Sequence, residues 1–315
     1  MGTTISTEKG KPLGTPNRPR KRSSFLYSKK AAPYIFVSPF ILSFLFLFLY
    51  PFISAINMSF QRVLPGQVEY IGLRNYERVL NPTFYTALQN TTVYVILTVI
   101  LLTVLPLIFA LFLNNRLMKM TNFFRAAIFI PALTSVIVAG TIFRMIFGDS
   151  DMAIANQFLS FFGFSPIEWR YGAASGMFLM VVLASWRWMG VNILYFLAGL
   201  QNVNHDLYEA ADIDGANVWQ KFKHVTFPAI KPIVIFLTTI TTINGFRMFE
   251  ESFVFWETSS PGNIGLTVVG YIYQEGIQRN DMGFGAAVGI VLLLVIFVVS
   301  VIQLYLTGAF KKGDS

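Results

Sequence analysis

The chain has 315 residues, 54% hydrophobic and only 13% charged, with a formal net charge of +8, too apolar for an ordinary soluble domain and first read as a membrane protein. It contains no Cys, which excludes disulfides, thiol nucleophiles, zinc knuckles and iron–sulfur clusters. Its two His, His205 and His224, lack the HExxH spacing, and no GxxxxGK[ST] loop is present, so neither a zinc protease nor a P-loop ATPase is encoded.

Residues 1–30 are rich in Lys, Arg, Ser, Thr, Pro and Gly and carry the run "RPRKR" at 18–22. Such a stretch buries too little apolar surface to offset the entropy of ordering. It is expected to be a disordered basic cytoplasmic tail, its charge acting as a topology signal. No cleavable signal peptide fits, because the first apolar stretch begins near Pro33 and is long enough to span. About 20 apolar residues cross the hydrocarbon core. Six segments qualify, about 33–60, 86–113, 126–147, 176–199, 232–256 and 283–308. The fold class is therefore an all-α membrane protein with six transmembrane helices, its membrane domain running over 31–312. Pro106 and Pro131 are placed to kink the second and third spans, and Gly285 and Gly289, four apart, offer a small-residue face in the sixth.

Orientation follows from Lys and Arg in the flanks. With both termini inside, sixteen fall on the cytoplasmic side: eight in the tail, Arg116, Lys119 and Arg125, then Lys221, Lys223 and Lys231, and finally Lys311 and Lys312. Arg62, Arg74, Arg78, Arg170 and Arg279 fall outside, while Arg144, Arg187 and Arg247 lie in or at the rim of spans. Positive charge is retained on the cytoplasmic side, so both termini are read as cytoplasmic. The outer loops 61–85, 148–175 and 257–282 contain no metal-site spacing and are read as a landing surface for a partner.

One polar island interrupts the pattern on the cytoplasmic side, "YEAADIDGANVWQKFKHVTFPAIKP" at 208–232. Asn204 is placed to cap a helix with Asp206 and Glu209 near its positive end. Leu207, Ala210 and Ala211 share a small apolar face. Gly215 permits a tight bend, Val218, Phe222 and Val225 resume helical spacing, and Pro228 is expected to end that second helix before Pro232 opens the next span. From the residues alone, this pair of short helices is either a plain linker between spans or a docking element for a cytoplasmic partner.

The stretch "EAADIDGANVWQKFKHVTFP" closely resembles the EAA signature of permease subunits in bacterial binding-protein-dependent ABC importers. Its motif positions here are Glu209, Ala210, Ala211, Asp212, Gly215, Phe227 and Pro228, within a coupling loop at 204–228. "YPFISAINMSF", "GLRNY", "FIPALTS" and "LAGLQNV" extend the likeness to the maltose-type carbohydrate permeases. "SKKAAPYIF", "LASWRWMG", "GFRMFEES" and "SPGNIGLT" are similar to permeases for plant-derived oligosaccharides, arabino-oligosaccharide carriers foremost. The resemblance implies a type I ABC importer permease fold in the bacterial plasma membrane. It implies a heterodimer with a second permease, two copies of a cytosolic ABC ATPase that holds ATP and magnesium, and a lipid-anchored extracellular sugar-binding protein. It implies no cofactor on this chain, no enzymatic activity of its own and no nucleic-acid partner. Glu209 would then pair with a basic group on the ATPase, Ala210 and Ala211 would permit close approach, and Gly215 would form the bend.

Ionisable groups at membrane depth are costly unless they face a cavity or a partner. Arg187 lies mid-span, and Arg247 has Glu250 and Glu251 three and four residues on, a spacing that offers an ion pair on a continuous helix. These groups either pair among themselves and hold the bundle, or line a sugar path. Oligosaccharides need hydrogen-bonding groups beside aromatic faces. Trp186, Arg187, Trp188, Asn192, Tyr195, Asn244, Arg247, Glu250, Glu251 and Trp256 supply both. An ion-coupled secondary sugar transporter would also employ Arg247 and Glu250, but leaves the island without a task. A membrane enzyme finds no nucleophile or metal constellation, and a channel finds no ring-forming repeat.

Overall fold

The computed structural model describes residues 2, 32–114, 121–257 and 259–309. The expected tail, Arg116, Lys119, the side chain of Arg125, Lys311 and Lys312 lie outside the described residues. The chain divides into two units, Met1–Ser54 and Ala55–Ser315. The described part of the first unit belongs to helix α1, Ala32–Ser59, an apolar span of 28 residues with a widened π-turn at Leu45–Leu49.

The second unit takes in the last residues of α1 from Ala55 and then a hairpin, β1 (Gln61–Leu64) and β2 (Gln67–Tyr70), in antiparallel register with Arg62 opposite Glu69. A short helix α2 (Arg74–Val79) follows. Buried Asn75 fastens it by donating to the carbonyls of Ser59 at 3.0 Å and Gln61 at 2.8 Å, since a buried amide must find partners. Helix α3 (Pro82–Leu113) is capped by Asn81, whose Oδ1 accepts from the Phe84 N–H at 3.0 Å, with Pro82 in the first turn where its missing N–H costs nothing. Pro106 sits within α3, which runs unbroken.

The third predicted span is two helices, α4 (Thr121–Leu133) and α5 (Val136–Ile146), meeting at 101°. Pro131 lies in the last turn of α4, and the bend falls just beyond it, where Ser135 is extended. The second outer loop contains a short helix α6 (Ile154–Phe161) before α7 (Ala173–Gln201). Helix α8 (His205–Ile213) leads into α9 (Val218–Phe246), a 29-residue span.

Two sequence-based expectations fail along α9. Pro228 does not end a helix: the chain passes through it, because a π-turn at Phe222–Thr226 immediately before it widens the backbone where the ring would otherwise crowd the preceding carbonyls. Nor does the span reach 256. It stops at Phe246, and Glu250–Trp256 form a separate helix, α10. A short helix α11 (Val268–Ile272), extended by a π-turn at Tyr273–Gln278, precedes the last span α12 (Met282–Leu306), capped by Asp281. Of the two glycines in α12, Gly285 makes the close approach, since a Cβ there would lie 2.9 Å from the Gly276 Cα, whereas one at Gly289 would meet only the tip of Ile272 at 3.9 Å.

Helices α3, α7, α9 and α12 assemble the second unit, with α4 against α7 and α10 against α5. Two apolar clusters form along them. One gathers Phe84, Leu179, Leu183, Phe246, Val268 and Val288; the other gathers Ala110, Phe196, Leu200, Ile230 and Leu237. Between these clusters α7 carries the buried polar residues Ser185, Arg187 and Asn192, and there the bundle opens.

Candidate functional site: a polar cavity and a braced helix pair

The opening is a cavity of about 540 Å³ walled by α3, α7, α9 and the 247–251 segment. Arg187 from α7 enters it almost buried, its Nη1 at 3.4 Å from Glu251 Oε1 and 3.6 Å from Glu250 Oε2. The break after Phe246 makes this arrangement possible. By starting a new helix at Glu250, the chain turns two consecutive carboxylates toward α7. Arg247, expected to pair with them on a continuous helix, instead lies exposed at the break, with no acid within 4 Å among the described residues. The Arg187 guanidinium also lies 5.5 Å from the Trp188 ring centre, a range over which a cation is drawn to the ring face.

Asn192 is buried, donating to the Leu102 carbonyl at 2.8 Å and so fastening α7 to α3. Tyr195 meets Phe236 edge to face at 5.7 Å, and Asn244 stands exposed on the wall. The cavity therefore offers hydrogen-bonding groups beside partly exposed aromatic faces, the combination that a sugar ring requires. Two residues of the predicted set stand elsewhere. Trp186 packs on Phe143 of α5 at 5.6 Å, and Trp256 donates its indole N–H to the Arg170 carbonyl at 2.9 Å, tying α10 to the second outer loop. Tyr94, Thr98, Phe236, Thr241 and Phe249 line the cavity without having stood out in the sequence. Each lies in an apolar run that marks a span but not which face looks inward.

At the other end of α9, helices α8 and α9 form a bent pair. Asn204 Oδ1 accepts from the Asp206 N–H at 3.0 Å. Asn217 and Gln220 close a capping box at the start of α9. Gly215 adopts φ +73° at the bend, a conformation with little steric cost only for a residue lacking Cβ. Two side-chain links cross the bend: Tyr208 to Thr226, hydroxyl to hydroxyl at 2.8 Å, and Lys221 to Asp212. The pair is thus braced at two points. Glu209 and Ala210 are exposed and Ala211 is half-buried, while Leu207, Ile213, Val218 and Trp219 present apolar surface to solvent. Phe227 and Pro228 are also exposed.

Residues 93–312 match the family described as the binding-protein-dependent transport system inner membrane component. The chain belongs to that family. This permease is 67% identical over 291 residues to the arabinooligosaccharides transport system permease protein AraP of Halalkalibacterium halodurans, covering 92% of each chain. It is 62% identical over 285 residues to the protein of the same name from Bacillus subtilis (strain 168), covering 90% of this chain and 91% of that one. Its fold matches a bacterial ABC transporter involved in importing the acidic polysaccharide alginate, with a TM-score of 0.80 at 22% identity, over 90% of this chain and 98% of that chain. The permease is therefore a multi-pass inner-membrane transport subunit of type I ABC importer fold, not an enzyme. Family membership also displaces the ion-coupled transporter reading.

Proposed function

We propose that the permease forms half of the translocation path of an ATP-driven importer of arabino-oligosaccharides, opposite a second permease and above two copies of a cytosolic ATPase that binds ATP and magnesium. A lipid-anchored extracellular binding protein delivers the sugar to the outer loops. The observation that carries the sugar assignment is the 67% identity, across 92% of each chain, to a permease named for those oligosaccharides. The cavity is consistent with a neutral cargo, since its lining matches two Arg, Arg187 and Arg247, with two Glu, Glu250 and Glu251. Its groups supply a few contacts rather than an enclosing cage, as a path that must release its cargo requires. The braced α8–α9 pair, with exposed Glu209 and small Ala210 and Ala211, has the shape of a helix offered to a groove on the ATPase.

The test is uptake of labelled oligosaccharides in cells lacking this subunit, across a panel of linkages. Loss of arabino-oligosaccharide uptake, restored by the gene, is the expected result. Unchanged uptake of that class, with loss of another, would reassign the cargo. Cross-linking from a Cys introduced at Ala211 is expected to capture the ATPase.

A further inference from the structure

The outer face carries a second, unrelated concentration of charge. Of the five Lys and Arg residues that the topology places outside, four converge on one cavity of about 480 Å³ between the hairpin, α2 and the π-turn before α12: Arg62, Arg74, Arg78 and Arg279. All are Arg. Cations beside the outer ends of spans run against the charge bias that orients the protein, so their gathering in one place calls for a use.

Two of the four are committed. Arg78 bonds Asp281 at 2.8 Å and lies 4.3 Å from the Phe284 ring centre, and Arg279 bonds Glu275 at 2.5 Å. The first pair holds α2 against the start of α12, and the second closes the end of the π-turn on itself. Arg62 and Arg74 are exposed and have no acid within 4 Å among the described residues, although Arg62 stands opposite Glu69 in the ladder. The cavity lining thus holds two neutralised guanidiniums and two without an acidic partner.

We infer that Arg62 and Arg74 form a socket for a carboxylate-bearing surface of the extracellular binding protein. The inference rests on the importer reading above and assigns a place to the docking that reading requires. Guanidinium is weakly hydrated and presents a planar fork matched to carboxylate, so it binds acids at interfaces better than ammonium does. The lining favours a protein over a lipid headgroup. Leu64 and Ile71 are the apolar lining residues, offering little to an acyl chain, and the exposed Glu69 repels phosphate while suiting a surface of mixed charge. Rim charges of this kind act chiefly on the association rate and its salt dependence.

The experiment uses the complete importer in nanodiscs, titrated with sugar-loaded binding protein, with stimulated ATP hydrolysis as readout. The double variant R62E/R74E is expected to raise the half-maximal concentration by about tenfold and to flatten its dependence on salt, with maximal and basal rates unchanged. Should the double charge reversal assemble poorly, R62Q/R74Q serves in its place, with a smaller shift in the same direction. An unshifted curve in these variants, beside normal stimulation of the unaltered importer, overturns the socket and leaves the importer reading standing. Absence of stimulation in the unaltered importer overturns both. A shift seen with phosphatidylglycerol but not with phosphatidylcholine nanodiscs overturns the protein docking in favour of a lipid headgroup.

Discussion

Arg187 takes a charge into a level of the bundle where a lone guanidinium is expensive, and Glu251, as buried as the arginine, is the partner that makes it tolerable. Glu250 is mostly exposed and lies slightly farther away, so it cannot replace that partner. Removing one side of a buried pair leaves the other uncompensated, at a cost on the order of 3 kcal/mol. E251A is therefore expected to lower the melting temperature of the detergent-purified protein, and R187M/E251Q to recover much of the loss. A double variant no more stable than E251A would show that the pair is not the source of the stability. Asn244 behaves differently. Its side chain is exposed on the cavity wall and makes no hydrogen bond among the described residues, so N244A should insert and melt normally while lowering uptake or altering preference among sugars. Wild-type uptake across the panel would remove Asn244 from the path. The chemistry of these residues was legible in the sequence, because an Arg or Glu inside an apolar run announces itself. Their directions were not. Trp186 and Trp188 look alike in sequence, yet two residues turn a helix by about 200°, and only Trp188 faces the cavity.

At the scale of elements, the six apolar runs, the island and the Gly215 bend could all be read in advance, since each follows from composition or a single conformational demand. The ends of the fifth span could not. Pro228 is tolerated because a π-turn precedes it, and the break at Arg247 falls inside a stretch whose aromatic residues continue to Trp256 around Arg247, Glu250 and Glu251. The first outcome depends on how neighbouring turns pack, which local pattern does not record; the charged residues at the second were legible, but not that the helix stops among them. The braced pair formed by α8 and the start of α9 offers a sharper test. A β-branched residue at Gly215 must hold φ +73°, at a cost of about 1–2 kcal/mol, so G215V should open the bend without affecting insertion. Sugar uptake is expected to fall strongly at normal membrane abundance, and intact uptake would count against a docking role. Y208F removes one of the two braces across the bend while leaving the docking surface unchanged. Uptake should therefore fall less than in G215V, and the number of sugars moved per ATP should fall with it. A pure loss of affinity for the ATPase would leave that ratio intact.

For the molecule as a whole, the cavity and the braced bend lie on one helix. α9 begins in the braced bend and ends at the cavity wall, with Asn244 in its last turn and Phe236 and Ile240 lining the opening on the way. Its 29 residues span about 43 Å at the usual rise per residue. A continuous helix of that length resists bending, so displacement of the bend by an ATPase would be delivered directly to the cavity wall. Softening the rod should therefore uncouple the two ends without touching either. Ala229 and Lys231 are exposed and flank the stretch where Pro232 already withdraws a backbone donor, and Gly at each costs roughly 1 kcal/mol of helix stability at most. In the reconstituted importer, A229G/K231G should keep binding-protein-stimulated ATP hydrolysis but move fewer sugars per ATP, with cross-linking from Ala211 to the ATPase unchanged. If sugars per ATP remain at the wild-type value, the stroke reaches the cavity by another route, through α7 or the partner permease, and α9 is only a support.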